Sequence, residues 1–81
     1  MQRFGEKLRT LRQHHGLTVR DLTRALGYTG FGYIHSIETG KVTPRVEFIL
    51  KVADYFDVSL DVLLRDNLEL ILSDMDTDET P

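Results

Sequence analysis

Eighty-one residues, 41% hydrophobic and 28% charged, supply one single-core domain with little stability to spare, and the two prolines and absence of low-complexity tracts exclude a disordered chain. The lack of cysteine excludes a disulfide framework and thiolate metal sites and fits a reducing compartment, with the cytoplasm as default. No apolar run approaches the roughly 18 residues of a membrane span, and the opening MQRFGEKLRT has no signal-peptide core, so neither membrane insertion nor secretion is expected. The net charge of −3 is unevenly placed: all ten Lys and Arg lie in a body spanning 1–65, against seven acids, a local balance of +3. The remaining six acids fall in an acidic C-terminal extension, 66–81, which reads either as a solvated, frayed terminus or as a charged interaction segment.

In chain order, Phe4, Leu8 and Leu11 form one face of a first helix over 2–14, ended by Gly16. Thr18 followed by Asp21 forms a capping box that opens a second, short helix over 19–26, with Leu22, Ala25 and Leu26 inward and Gly27 as its stop. Ile34 and Ile37 mark the buried side of a third helix, ended by Gly40. Thr43-Pro44 offers an N-cap and a first-turn proline for a fourth helix, whose stripe is Val46, Ile49, Val52, Ala53 and Phe56. Ser59 caps a fifth helix, with Asp61 in its first turn. Strand-period alternation is absent, so the fold class is all-α, a compact bundle of five helices with a short C-terminal extension.

A glycine turn between the second and third helices already matches helix-turn-helix spacing. The strings FGEKLRTLRQHHGLT, DLTRALG and IHSIETGKVTPRVEFILKVADYFDVSLDVLL, in this order, make the stretch from Phe4 to about Leu64 resemble the lambda-repressor-like, Cro/XRE type of helix-turn-helix domain. This resemblance implies a DNA-binding fold and an internal ion pair between Arg12 and Glu38, with Arg12 alternatively serving as a phosphate contact. It also places the DNA surface along the N-termini of the second and third helices and the loop into the fourth. Thr18, Arg20, Lys41 and Arg45 are then the phosphate-contact candidates, against the alternative that they are merely solvated. Val19 replaces the glutamine that many relatives carry after the helix-initiating threonine, so that position offers no polar group to DNA.

The segment expected to read bases departs further. YTGFGYIHS, residues 28–36, holds no Arg, Lys, Asn or Gln, the side chains suited to bidentate pairing with purine edges. It is one residue longer than the expected pattern, and alignment back from IETG sets Gly30 at the cap and Phe31 and Gly32 at the first two helical positions. Thr29, Phe31, Tyr33 and Ser36 are the base-facing candidates: Phe31 against a thymine methyl, Thr29 and Ser36 through single hydrogen bonds. Tyr33 and His35 can reach the backbone. The competing expectation is that Tyr28, Phe31 or Tyr33 fills the core.

The adjacent His14 and His15 diverge by about 100° on a helix and do not form a zinc pair, and no serine, threonine or carboxylate sits in a catalytic setting. No metal, cofactor or enzymatic activity is expected. Leu60, Leu64, Leu68, Ile71, Leu72 and Met75 trace a further helical stripe, which either closes the chain's own core or packs on a second copy. LELIL can alternatively pair as a short strand. Leu64, Leu68, Ile71 and Leu72 are the dimerisation candidates, and 66–75 the candidate segment. The expected function is that of a bacterial or phage-type transcriptional regulator, cytoplasmic and nucleoid-associated, binding double-stranded DNA as a homodimer. The alternative is a protein-interaction module or antitoxin-like partner on the same scaffold.

Overall fold

The computed structural model describes residues 3–30 and 32–66, and within them the chain is all-helical, with no strand. The helices are α1 (Phe4–His14), α2 (Val19–Ala25), α3 (Gly32–Glu38), α4 (Val46–Phe56) and α5 (Leu60–Leu64). α1 packs on both α3 and α5, α2 packs on α3, and α4 packs on α5. The core forms where the apolar stripes meet: Phe4, Leu8 and Leu11 of α1 join Leu22, Ile34 and Ile37, all buried. Phe48, Ile49, Val52 and Phe56 of α4, with Leu63 of α5, complete it.

Helices of seven, seven and five residues are too short to be stable alone in water, so their ends carry much of the local specification. Gly27 takes a φ of 84° and Gly40 of 80°, left-handed turns that halt α2 and α3 where a Cβ would be strained. α4 ends the same way at Asp57, with φ 55°, a left-handed residue that the sequence does not advertise because it is not glycine. Ser59 caps α5 by accepting from Val62 N–H.

Two inward-facing assignments are corrected. Ala25 is exposed, while Thr23 is fully buried, its hydroxyl donating to the Val19 carbonyl at 2.8 Å. Leu22 and Leu26 fix the inward line of α2, and Ala25 lies off it. Val46 is 72% exposed and Phe48 replaces it in the core. The cause is a later helix start: the N-cap is Arg45 rather than Thr43, and Val46 stands first, outside Pro44. Arg45 holds an extended backbone (φ −81°, ψ 156°), so the proline precedes the helix instead of opening it.

The C-terminal end of the body is held by cations from α1. The fully buried Lys7 ammonium donates to the carbonyls of Val62 (2.5 Å) and Arg65 (2.7 Å), satisfying acceptors that the end of α5 leaves open. Arg3 donates from its backbone to the Asp66 carboxylate at 2.9 Å and from its guanidinium to the Asp66 carbonyl at 2.8 Å. Arg65 is extended (φ −91°, ψ 118°), so α5 stops at Leu64 and the stripe from Leu60 to Met75 is not one continuous helix. Leu64 is half-buried against the chain's own core; Leu68, Ile71, Leu72 and Met75 lie outside the described residues, as does most of 66–81.

Gly5 is where α1 comes closest to α3: a Cβ there would overlap the Ile37 carbonyl oxygen and lie 3.2 Å from Glu38 Cα. Both neighbours are backbone, so neither can swing aside. Gly5→Ala is expected to lower unfolding free energy by about 1–3 kcal/mol, the usual cost of overpacking, in urea denaturation. An unchanged midpoint would contradict the close approach.

Candidate nucleic-acid interface

Thr18 opens α2 with an extended backbone (φ −80°, ψ 167°), and its hydroxyl accepts from Asp21 N–H at 3.0 Å. The Asp21 carboxylate in turn accepts from Thr18 N–H at 3.0 Å, completing a reciprocal box. The backbone and side-chain hydrogen bonds with Thr18, helped by the charges of Arg24 and Arg20, hold the Asp21 carboxyl below its ordinary 3.8. The side chains of Thr18 and Arg20 stand exposed at this end of α2.

One step earlier in the chain, the Leu17 carbonyl accepts from Arg12 Nη1 at 2.8 Å. The same guanidinium meets the Glu38 carboxylate in a two-pronged pair, Nε to Oε2 at 2.7 Å and Nη2 to Oε1 at 3.0 Å. Exposure is 12% for Arg12 and 4% for Glu38, so this pair is shielded from water and salt. Arg12 therefore faces inward, joining the end of α1, the lead into α2 and the end of α3. Its three described donations all go to internal acceptors.

Thr29 and Gly30 are exposed in the turn before α3, and Phe31 lies outside the described residues. α3 begins at Gly32. Tyr33 is half-buried, with its ring edge-on to Phe48 at 5.2 Å and tilted against Tyr28 at 5.9 Å. Its hydroxyl oxygen accepts from Arg45 N–H at 3.2 Å. One turn along α3, the carbonyl of the half-buried Ser36 accepts from Lys41 N–H at 2.8 Å and Val42 N–H at 3.4 Å. The loop from Thr39 to Arg45 is thus tied to α3 at both ends, and it presents the exposed side chains of Lys41 and Arg45. The structure brings Tyr33, Ser36, Lys41 and Arg45 together; Thr18 and Arg20 connect to them through α2 and the Arg12–Glu38 link.

Of the competing expectations for the aromatic residues, inward packing holds for Tyr28 and Tyr33, both half-buried against the core, while the stripe expected for α4 missed Phe48. Tyr28, Tyr33 and the fully buried Phe48 form a three-ring cluster, with Tyr28 5.6 Å from Phe48. Lys51 Nζ lies 4.6 Å above the Tyr28 ring, within cation–π range. Burial, followed by the nearby Glu47 charge, pushes the Tyr28 phenol above its usual value. Tyr28, Tyr33, Arg45 and Glu47 line a shallow depression of about 280 Å³. The signal for this cluster was aromatic residues at 28, 33 and 48, but their meeting depends on how α3 and α4 are placed. His14 and His15 are edge to face at 5.4 Å, and His15 lies against Phe56 at 5.0 Å.

Glu38→Ala strands the Arg12 guanidinium and is expected to cost about 3 kcal/mol, measured by urea denaturation; a loss no larger than that of an exposed pair would refute the shielding argument. Asp21 gives a pH dependence of defined sign. Because its folded value is lowered, the stabilisation is present above about pH 4 and fades as pH falls through that lowered value. Thermal melts of Asp21→Asn should therefore lose less between pH 4 and 2 than those of the wild type, and equal acid sensitivity would count against the box.

The sequence profile of a family described as a helix-turn-helix domain matches residues 3–66. No curated protein and no solved structure matches the chain.

Proposed function

Since the chain belongs to the helix-turn-helix domain family, we propose that it is a transcriptional regulator binding double-stranded DNA, with phosphate contacts supplying most of the affinity. The observation that carries this reading is the basic loop: Lys41 and Arg45 are exposed on a segment whose two ends are hydrogen-bonded to α3. Cations fixed relative to a helix that enters a groove can meet phosphates on either side of it in register. Thr18 and Arg20, at the start of α2, supply further contacts. Base reading falls to Thr29, Phe31 and Ser36, none of which makes a two-pronged purine contact, so discrimination is shallow.

The active species is a homodimer, with Leu68, Ile71 and Leu72 as the apolar residues of its contact and Leu64 at its edge. Two-fold symmetry then sets the reading helices about 34 Å apart, matching successive major-groove half-sites. A second reading, a protein-docking module, is favoured by α3, which carries no Arg, Lys, Asn or Gln from Gly32 to Ser36.

Selection from random duplexes with the full-length protein tests both. Recovery of a common site whose binding weakens steeply between about 50 and 200 mM salt is expected for the regulator; failure to retain any duplex at low salt would sink it. Lys41→Ala with Arg45→Ala should weaken binding to all duplexes and reduce the logarithmic salt slope by about 0.9 for each phosphate no longer neutralised. A chain truncated after Asp66 keeps Arg3's partner and is expected to sediment as a monomer; a persisting dimer would remove the contact assigned to Leu68, Ile71 and Leu72.

A further inference from the structure

Tyr33 occupies a position in the reading helix where a side chain is expected to face DNA, yet both ends of that side chain are engaged within the protein. Its ring is held against Phe48 and Tyr28, and its hydroxyl accepts the Arg45 N–H at 3.2 Å. Arg45 is the N-cap of α4 and has no side-chain cap of its own. Its carbonyl receives Phe48 N–H (3.0 Å) and Ile49 N–H (3.1 Å), the first hydrogen bonds of α4. A force on the Tyr33 hydroxyl therefore passes through one residue into the start of α4. At the other end of the loop, the Ser36 carbonyl holds Lys41 N–H at 2.8 Å. That bond is made by the main chain at the C-terminal end of α3, the 6→1 closure that follows a left-handed glycine, here Gly40. α3 thus holds both ends of the segment carrying Lys41 and Arg45, one through its backbone and the other through the Tyr33 side chain.

We propose that Tyr33 is a positioning residue: it sets the distance between the reading helix and the phosphate-binding loop and does not read a base. The inference rests on the DNA-binding reading and assigns a different job to one residue within it. Ring and hydroxyl have separable parts. The ring fixes where the hydroxyl stands, because Phe48 beneath it is fully buried and cannot yield. The hydroxyl fixes Arg45. A phenol is suited to this task, since it spans from a helix to a neighbouring backbone with only two rotatable bonds and still offers an acceptor lone pair at its tip.

Tyr33→Phe separates the two, keeping the packed ring while removing the acceptor. The test uses the full chain, a duplex recovered from random selection and an unrelated duplex, each titrated over a range of salt. Tyr33→Phe is expected to bind both duplexes about 3- to 10-fold more weakly, the effect of losing one hydrogen bond, with the selected sequence unchanged. Amide exchange at Arg45 in the free protein should be faster than in the wild type. In the background of Arg45→Ala, where the cation is already gone, adding Tyr33→Phe should produce little further loss in affinity. A merely structural role would not make the two substitutions depend on each other.

Unchanged affinity in Tyr33→Phe, an altered base preference at one position of the selected site, or unaltered Arg45 exchange would each overturn the proposal while leaving the DNA-binding reading in place. If the wild-type chain binds no duplex, the DNA-binding reading fails and the alignment role falls with it. The two failures are thus distinguishable by the wild-type titration.

Discussion

The Arg12 guanidinium holds the helix-turn-helix unit in its shape. A single planar group donates to the Glu38 carboxylate through two nitrogens and to the Leu17 carbonyl through a third. These acceptors belong to the end of α3 and to the residue leading into α2, while Arg12 itself sits in the last turn of α1. The ends of α1 and α3 and the residue leading into α2 are fixed at one point, with directional bonds that lysine's single ammonium could not reproduce in this fork. Apolar packing alone would bring α1, α2 and α3 together without deciding their rotation. With the carboxylate only 4% exposed, a rotated arrangement would leave a charge out of water and unpaired, so alternatives are disfavoured more strongly than the native pair is favoured.

Around this point the fold is closed by hydrogen bonds at helix ends. Short helices gain little from propensity, and their terminal groups are a large share of their backbone. Thr18 and Asp21 satisfy the start of α2, Ser59 the start of α5, and Lys7 the end of α5. Lys7 is fully buried, and its charge is compatible with the interior because carbonyl oxygens from two residues meet it. Arg3 adds bonds to Asp66 on the same side. Arg3 and Lys7, at the start of α1, thus fix the chain as far as Asp66.

The helices were legible because their signals are local. Apolar residues three and four apart marked α1 and α3, and glycine stops and the Thr18–Asp21 spacing marked the ends of α2. Errors arose where a local pattern competed with a tertiary one. Val46 fits the α4 stripe by spacing, but the helix begins only at Val46, leaving that residue 72% exposed beyond the core. Phe48 lies off the expected stripe, yet its ring fills the space between α1 and the Tyr28–Tyr33 pair. Lys7 looks solvated in the sequence because its partners are the carbonyls of Val62 and Arg65, which no side-chain pattern reveals. For the same reason the basic loop could be named from its residues, Lys41 and Arg45, but its attachment to α3 could not: one anchor is a main-chain oxygen and the other a phenol twelve residues from its partner.

That attachment changes the meaning of YTGFGYIHS. The segment holds no long amide or cationic side chain, and its two tyrosines make contacts that such side chains would not. Tyr28 and Tyr33 join α3 to α4 through Phe48, and the Tyr33 hydroxyl reaches the N-cap of α4. An Arg or Gln at 33 would offer a base contact but no rigid ring against Phe48, and a flexible side chain would cost more entropy to hold in one place. A helix face can present a side chain to a base or lock a neighbouring loop with it, and a single phenol does not do both equally well. Under the proposed DNA-binding role, the chemistry of this segment favours precise placement of charge over the reading of individual base edges. A protein built this way would gain selectivity from the spacing and shape of the phosphate backbone, which vary with sequence even where no base is touched.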